Sequence, residues 1–360
     1  MVARAVEDVT PRPPADVLLS PPATLVMAPT ALSSLVRSLP VFDALAAAGR
    51  RLVVVAPPPF HALLTLLPGV GGLIDRIDSE DLMVAALRAA GCQEAVVLEE
   101  SVDAAWLLWQ AGIPHRWGYG GWLTRRLLAP GVPSPTYTSS EERRSGARTA
   151  GQPYYQRLLQ LMGVGAPRSW QPTLELPEDL RSQGQAYLER AQLPADCRVV
   201  GLVPGGERRL SHRWPWQSFA ALAQALRRRI PNVRSSLFAS ATELWPAVRV
   251  HEETARFVPV LGPDLDLAEL AATLGQARLV VGNDSGLLDL AAALGVPALV
   301  LTSLTARLDP LSGQEVLRGR SPGPVLSWVF RRSPLASLPV EKVLESSENL
   351  LEETSLEEEG

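Results

Sequence analysis

Apolar residues in this chain fall into short β-branched blocks separated by longer segments with three-four spacing, and this alternation runs through most of its length. Blocks such as Leu52-Val53-Val54-Val55 suit strands buried on both faces, and the three-four spacing suits helices covering a parallel sheet. In the first half the pattern predicts strands at 24–27, 51–56, 72–77 and 95–98, alternating with helices at 33–48, 61–67 and 82–90. A helix over 101–111 and a short strand within 113–119 follow. Residues 125–148 show no clear period and read as surface loops; helices are expected over 153–162 and 179–191, with an extended connection over 170–178. The second half repeats the logic. Strands are predicted at 198–203, 234–239 and 257–261, with helices from Pro215 to about 229, over 243–253 and over 267–276. A strand, polar loop, helix and strand then occupy 278–302. Such an order predicts an α/β protein made of doubly wound parallel sheets.

A chain of 360 residues exceeds what one hydrophobic core serves, and a 46% hydrophobic content supplies two. Four parts are expected: a proline-rich disordered segment over 1–22, a first domain over 23–180, a second over 181–340, and a solvated, partly helical acidic tail over 341–360. The change of domain falls between about 170 and 195. With 34 basic against 38 acidic side chains there is no global basic field, which argues against nucleic acid as a partner. Cys92 and Cys197 are far apart and lack metal-ligand spacing, so they read as free thiols in a reducing compartment. The opening residues lack a signal-peptide pattern and no apolar run is long enough for a bilayer, so a cytoplasmic location is expected.

The candidate chemistry sits at strand-to-helix corners. Val281-Gly282-Asn283-Asp284-Ser285-Gly286-Leu287 would leave uncapped backbone N–H groups at a helix start above a strand end, where phosphate is the usual guest. The strand over 198–203 ends in Pro204-Gly205-Gly206-Glu207, followed by His212-Arg213-Trp214-Pro215. Plainer readings are available for each piece. Gly205 and Gly206 could serve only the turn, Trp214 could be a core aromatic, and Glu243 could cap its own helix. Arginines 125, 126, 143, 144 and 148 suit a solvated face, or a patch meeting a phosphate-bearing acceptor at the cytoplasmic leaflet.

Together with Ala111-Gly112-Ile113-Pro114-His115-Arg116-Trp117-Gly118-Tyr119, these segments occur in an order that resembles glycosyltransferase family 9, the ADP-heptose:lipopolysaccharide heptosyltransferases. The resemblance covers about residues 24 to 335 and implies the GT-B fold, two Rossmann-like domains facing a central cleft. It implies inverting, metal-independent transfer of a heptose-like sugar from a nucleotide diphosphate sugar to a glycolipid or glycan acceptor, with peripheral contact at the inner membrane and no cofactor. By the same resemblance Ser285 and Gly286 would hold phosphate, Asp284 the sugar, and Glu243 the ribose hydroxyls, while the loop carrying Gly205, Gly206, Glu207, His212 and Arg213 would close over the phosphates.

Three positions depart from the family pattern. Ser33 and Ser34 stand where the family has a Gly-Asp pair bearing the expected base, His212 stands for a phosphate-binding lysine, and Asp289 stands for a histidine. Ser34 and His212 are therefore the catalytic candidates, and Asp289, on the donor side, would complement its helix dipole but repel a diphosphate. Two outcomes are consistent with this: a transferase with substituted groups, or a degenerate homologue that binds sugar nucleotides or acts as a scaffold. They are told apart by whether Glu99, Glu100 or Glu207 approaches the place Ser34 vacates.

Overall fold

The buried blocks of the first half become five strands: β1 (Ala23–Met27), β2 (Arg51–Ala56), β3 (Val70–Asp75), β4 (Glu94–Val97) and β5 (His115–Trp117). All pair in parallel, in the order β3-β2-β1-β4-β5. The connections carry α1 (Leu32–Ala47), α2 (His61–Leu64), α3 (Glu80–Ala89), α4 (Val102–Gln110) and α5 (Trp122–Leu127), followed by α6 (Gln152–Leu161). The computed structural model describes residues 23–128, 152–206, 213–240, 243–303, 309–319 and 334–359. The segment 1–22, expected to be disordered, lies outside the described residues.

After α7 (Glu178–Arg190) the second half builds β6 (Arg198–Val203), α8 (Trp216–Arg229), β7 (Val233–Phe238), α9 (Leu244–Glu253), β8 (Val260–Leu261) and α10 (Leu267–Leu274). It continues through β9 (Leu279–Asn283), α11 (Gly286–Ala293), β10 (Ala298–Ser303), β11 (Gln314–Gly319) and α12 (Val340–Glu359). This sheet is also parallel, ordered β11-β10-β9-β6-β7-β8. Each sheet therefore reverses direction once, between β1 and β4 and between β6 and β9. At such a point neighbouring loops leave the strand ends in opposite directions and open a crevice.

The inner helices of the two sheets share one core. Leu35, Val36 and Leu39 of α1 and Leu63 and Leu64 of α2 belong to the same buried apolar cluster as Leu270 and Ala271 of α10 and Leu287, Leu288 and Leu290 of α11. Separate clusters fill the outer layer of each sheet. The two halves thus meet over a dry seam, not only across an open cleft.

The structure departs from the predicted elements in five places. The strand at 257–261 shrinks to Val260–Leu261, and the helix at 61–67 to His61–Leu64 after a single 3-10 turn. Helix α5 occupies the start of the stretch read as surface loop; Arg143, Arg144 and Arg148 of that stretch lie outside the described residues. Edge strand β11 was not predicted, because its sequence, Gln-Glu-Val-Leu-Arg-Gly, alternates weakly. The acidic end over 341–360, expected as a solvated, partly helical tail, is helical through Glu359 as α12, and instead of standing in solvent it buries Val343, Leu344 and Leu351 with the core residues Phe219, Leu222 and Leu226 of α8. Its acidic residues mask an apolar stripe too sparse to outweigh them in a charge count.

Leu344 is 1% exposed, and Leu344→Ala is expected to cost about 2–4 kcal/mol, read as a lower midpoint in chemical denaturation.

Candidate functional site

The loops after β6 and β9 lie side by side at the switch point of the second sheet. Asn283, the last residue of β9, holds them together from a buried position. Its Nδ2 donates to the Pro204 carbonyl at 2.9 Å and its Oδ1 accepts the Trp214 backbone N–H at 2.7 Å. Trp214 is a core aromatic: 1% exposed, edge-on to Phe219 at 4.8 Å, with its indole N–H donating to the Leu338 carbonyl at 3.0 Å. One asparagine therefore ties both loops to the core.

Glu243 enters from the connection between β7 and α9. Its carboxylate accepts the Gly206 backbone N–H at 2.8 Å and makes no cap bond to its own helix α9. Gly206 has φ +150, where a side chain is strained, and an added Cβ would lie 3.2 Å from the Asp284 carbonyl. Arg213 donates back to the Gly206 carbonyl. The structure thus brings Gly205, Gly206, Arg213, Glu243, Asp284, Ser285 and Gly286 to one strand-end crevice. Glu207 and His212 lie outside the described residues.

At the start of α11 the Ser285 hydroxyl is buried, caps nothing, and has no hydrogen-bond partner among the described residues. A buried orphan hydroxyl beside open helix N–H groups is costly unless a ligand or water completes it. These groups are the donors an anion requires.

The first turn of α1 stands directly against this helix start. A Cβ on Gly286 would come within 2.6 Å of Leu32 Cβ and 2.7 Å of the Ser33 backbone nitrogen. One turn deeper, the Asp289 carboxylate receives Arg37 through two bonds, Nη2 to Oδ1 at 3.0 Å and Nε to Oδ2 at 3.1 Å. Ser33 Oγ also donates to it, and Gln314 Nε2 donates at 3.0 Å. Asp289, read from the sequence as a charge that would repel a diphosphate, is 5% exposed and compensated within the protein. Ser33 makes the bond to the opposite sheet; Ser34 is half-buried on α1.

On the first sheet, Glu99 follows β4 and accepts from both the Thr30 backbone N–H and its hydroxyl at 3.4 Å, with Arg76 at 3.8 Å. Thr30 lies in the loop that leads into Ser33 and Ser34. Glu100 instead accepts the Gly121 N–H at 3.2 Å. Beside these strand ends three tyrosines cluster: Tyr119 and Tyr154 tilted with centroids 4.2 Å apart, Tyr154 and Tyr155 edge to face at 5.2 Å. Burial pushes the Tyr119 and Tyr155 phenols well above their ordinary range, so both stay neutral. The Tyr119 hydroxyl is buried and has no hydrogen-bond partner among the described residues.

Arg37 and the tyrosines 154 and 155 were not singled out from sequence, and Asn283 was marked only as part of its corner, without a role. Ser33 and Arg37 share a helix face at i, i+4, but their partner is more than 250 residues away, so no local pattern marks them. Among the described residues no group of three or more His, Cys, Asp or Glu could hold a metal ion, and no helix is long and apolar enough to cross a membrane.

The family model for glycosyltransferase family 9 (heptosyltransferase) matches residues 83–308. Among solved structures, the ADP-heptose LPS heptosyltransferase II of E. coli is 24% identical with a TM-score of 0.71, the match covering 94% of this chain and 100% of that one. The glycosyltransferase family 9 protein of Veillonella parvula DSM 2008 is 19% identical with a TM-score of 0.74, over 93% and 98% of the two chains. E. coli heptosyltransferase WaaC, solved with ADP-2-deoxy-2-fluoro heptose, is 20% identical with a TM-score of 0.63, over 91% and 99%. These likenesses establish the GT-B arrangement of two parallel-sheet domains. No curated protein matches the chain by sequence.

Because Gly286 leaves no room for a methyl group against Leu32 and Ser33, Gly286→Ala is expected to force α1 and α11 apart and cost about 1–3 kcal/mol, measured by thermal melting alongside hydrogen exchange of the two helix starts.

Proposed function

The chain belongs to glycosyltransferase family 9 (heptosyltransferase), and from that premise we propose that it transfers a heptose-like sugar from a nucleotide diphosphate sugar to a hydroxyl of a lipopolysaccharide-core or envelope glycan acceptor. The observation that carries the reading is the crevice between the β6 and β9 loops, where the unpartnered Ser285 hydroxyl and the start of α11 stand beside Glu243 and the Gly205-Gly206 turn. These groups match what a diphosphate and a ribose require: N–H and O–H donors for the phosphates, and a carboxylate acceptor for vicinal hydroxyls. Asp284 would contact the sugar. Support for ADP-heptose in particular comes from relatives named for it or solved with its fluoro analogue.

In an inverting transfer the acceptor oxygen attacks the anomeric carbon and loses its proton to a base. The bond from that carbon to the phosphate oxygen breaks, and the nucleoside diphosphate leaves with the electron pair. Donors at the start of α11 would stabilise the charge developing on the leaving group. With Ser33 and Ser34 unsuited to accept a proton, Glu99 is assigned the base: among the three carboxylates considered, it is the described one that reaches the loop before those serines. That placement favours a transferase with substituted groups over a degenerate binding module. Acceptor binding falls to the first domain, and the arginine-rich stretch 125–148 would meet the phosphates of a glycolipid at the inner membrane.

Calorimetric titration with ADP-, GDP- and UDP-sugars is expected to give saturable binding of an ADP-sugar; no binding of any donor would overturn the reading. Asp284→Ala should weaken that binding about tenfold or more. Glu99→Gln should leave donor affinity near wild type and lower the rate of nucleotide release with acceptor about 10²-fold or more. Wild-type binding without any release, with acceptor extracts supplied, would instead identify a binding module.

A further inference from the structure

The bonds between α1 and α11 join residues of the two sheets along one stripe. Leu32 and Ser33 meet Gly286, and Ser33 and Arg37 meet Asp289. The first turns of the two helices therefore meet directly, Ser33 touching both Gly286 and Asp289. Two helix starts in contact bring two positive dipole ends together at the mouth of the crevice. Side by side they repel. A carboxylate in the first turns of the pair, fixed by a guanidinium from the opposite helix, offsets that repulsion and sets the spacing.

We propose that Arg37 and Asp289 are positioning residues: their buried ion pair, with Ser33, clasps the two domains so that the starts of α1 and α11 are held at a fixed separation for a nucleotide diphosphate to bridge. The inference rests on the donor site proposed above. A bidentate Arg–carboxylate pair suits this task because two parallel bonds fix orientation as well as distance. Both side chains are nearly closed to solvent, at 9% and 7% exposure, so the pair is screened little by salt. Gln314, from edge strand β11, and Ser33 occupy further lone pairs of the carboxylate, which leaves it saturated by protein donors. On this account Asp289 strengthens donor binding by acting through the geometry of the seam. If instead its charge simply faced the phosphates, removing that charge would strengthen binding.

The test is Asp289→Asn, which keeps the shape and an oxygen acceptor but loses the charge, read by ADP titration and by hydrogen exchange of the full chain. The clasp predicts ADP affinity about tenfold weaker or worse, and faster exchange over 29–38 and 284–291 in the ligand-free protein. Arg37→Lys, which keeps the charge but loses the fork, should weaken ADP binding less than Arg37→Met. Adding Arg37→Met to Asp289→Asn should restore thermal stability relative to either single change while leaving ADP binding weak. Unchanged or tighter ADP binding in Asp289→Asn overturns the proposal, as does seam exchange equal to wild type. Should the wild type bind no ADP, the donor-site reading fails, and unaltered exchange in Asp289→Asn would then dispose of the clasp on its own evidence.

Discussion

The close approach of α1 to α11 is the constraint on which the rest of the molecule depends. A glycine at 286 lets a helix of one sheet press its first turn into the first turn of a helix from the other. That contact closes an apolar seam from Leu35 and Val36 to Leu287 and Leu290, and the seam fixes how the two switch points face each other. Burying a carboxylate and a guanidinium in it is not a source of net stability, since each ion loses several kcal/mol of hydration. The return is specificity of arrangement, because any displaced docking of the two halves would leave those charges unpaired.

The same economy governs the crevice. Asn283 spends both ends of its amide on backbone groups of neighbouring segments, so two glycine-containing loops are held without a regular ladder. Glu243 reaches across to Gly206 where its own helix start would have been the local choice. Against this background of satisfied polar groups, the Ser285 hydroxyl stands out as buried and without a partner among the described residues. Polar atoms left over in an otherwise saturated site mark where a ligand completes the bonding.

Two of the three departures from the family pattern, at Ser33–Ser34 and at Asp289, acquire a physical context in three dimensions; His212 lies outside the described residues. Asp289 is bonded to Arg37 and Ser33, so the serine and the aspartate that depart from the pattern meet in one buried cluster. Glu99 approaches the loop ahead of the vacant base position from a different strand end. Catalytic geometry can survive the loss of a residue when the topology presents several strand ends to one point.

The sequence by itself determined the two parallel α/β sheets, because continuous β-branched blocks and three-four spacing are local properties of the chain. It also marked the glycine corners at 205–206 and 282–286, since tight strand-to-helix turns demand such residues. It could not reveal edge strand β11, whose alternation is weak, or the docking of α12, whose apolar stripe is buried under acidic neighbours. Nor could it show what Asp289 does. Read alone, that residue is a charge at a helix start; only the packing of α1 beside it supplies Arg37 as a partner from 252 positions away in the chain. Local spacing fixes the elements and their corners, but the pairing of buried charges belongs to the tertiary structure, because a lone ion in a dry seam is tolerated only where the fold brings its counterion.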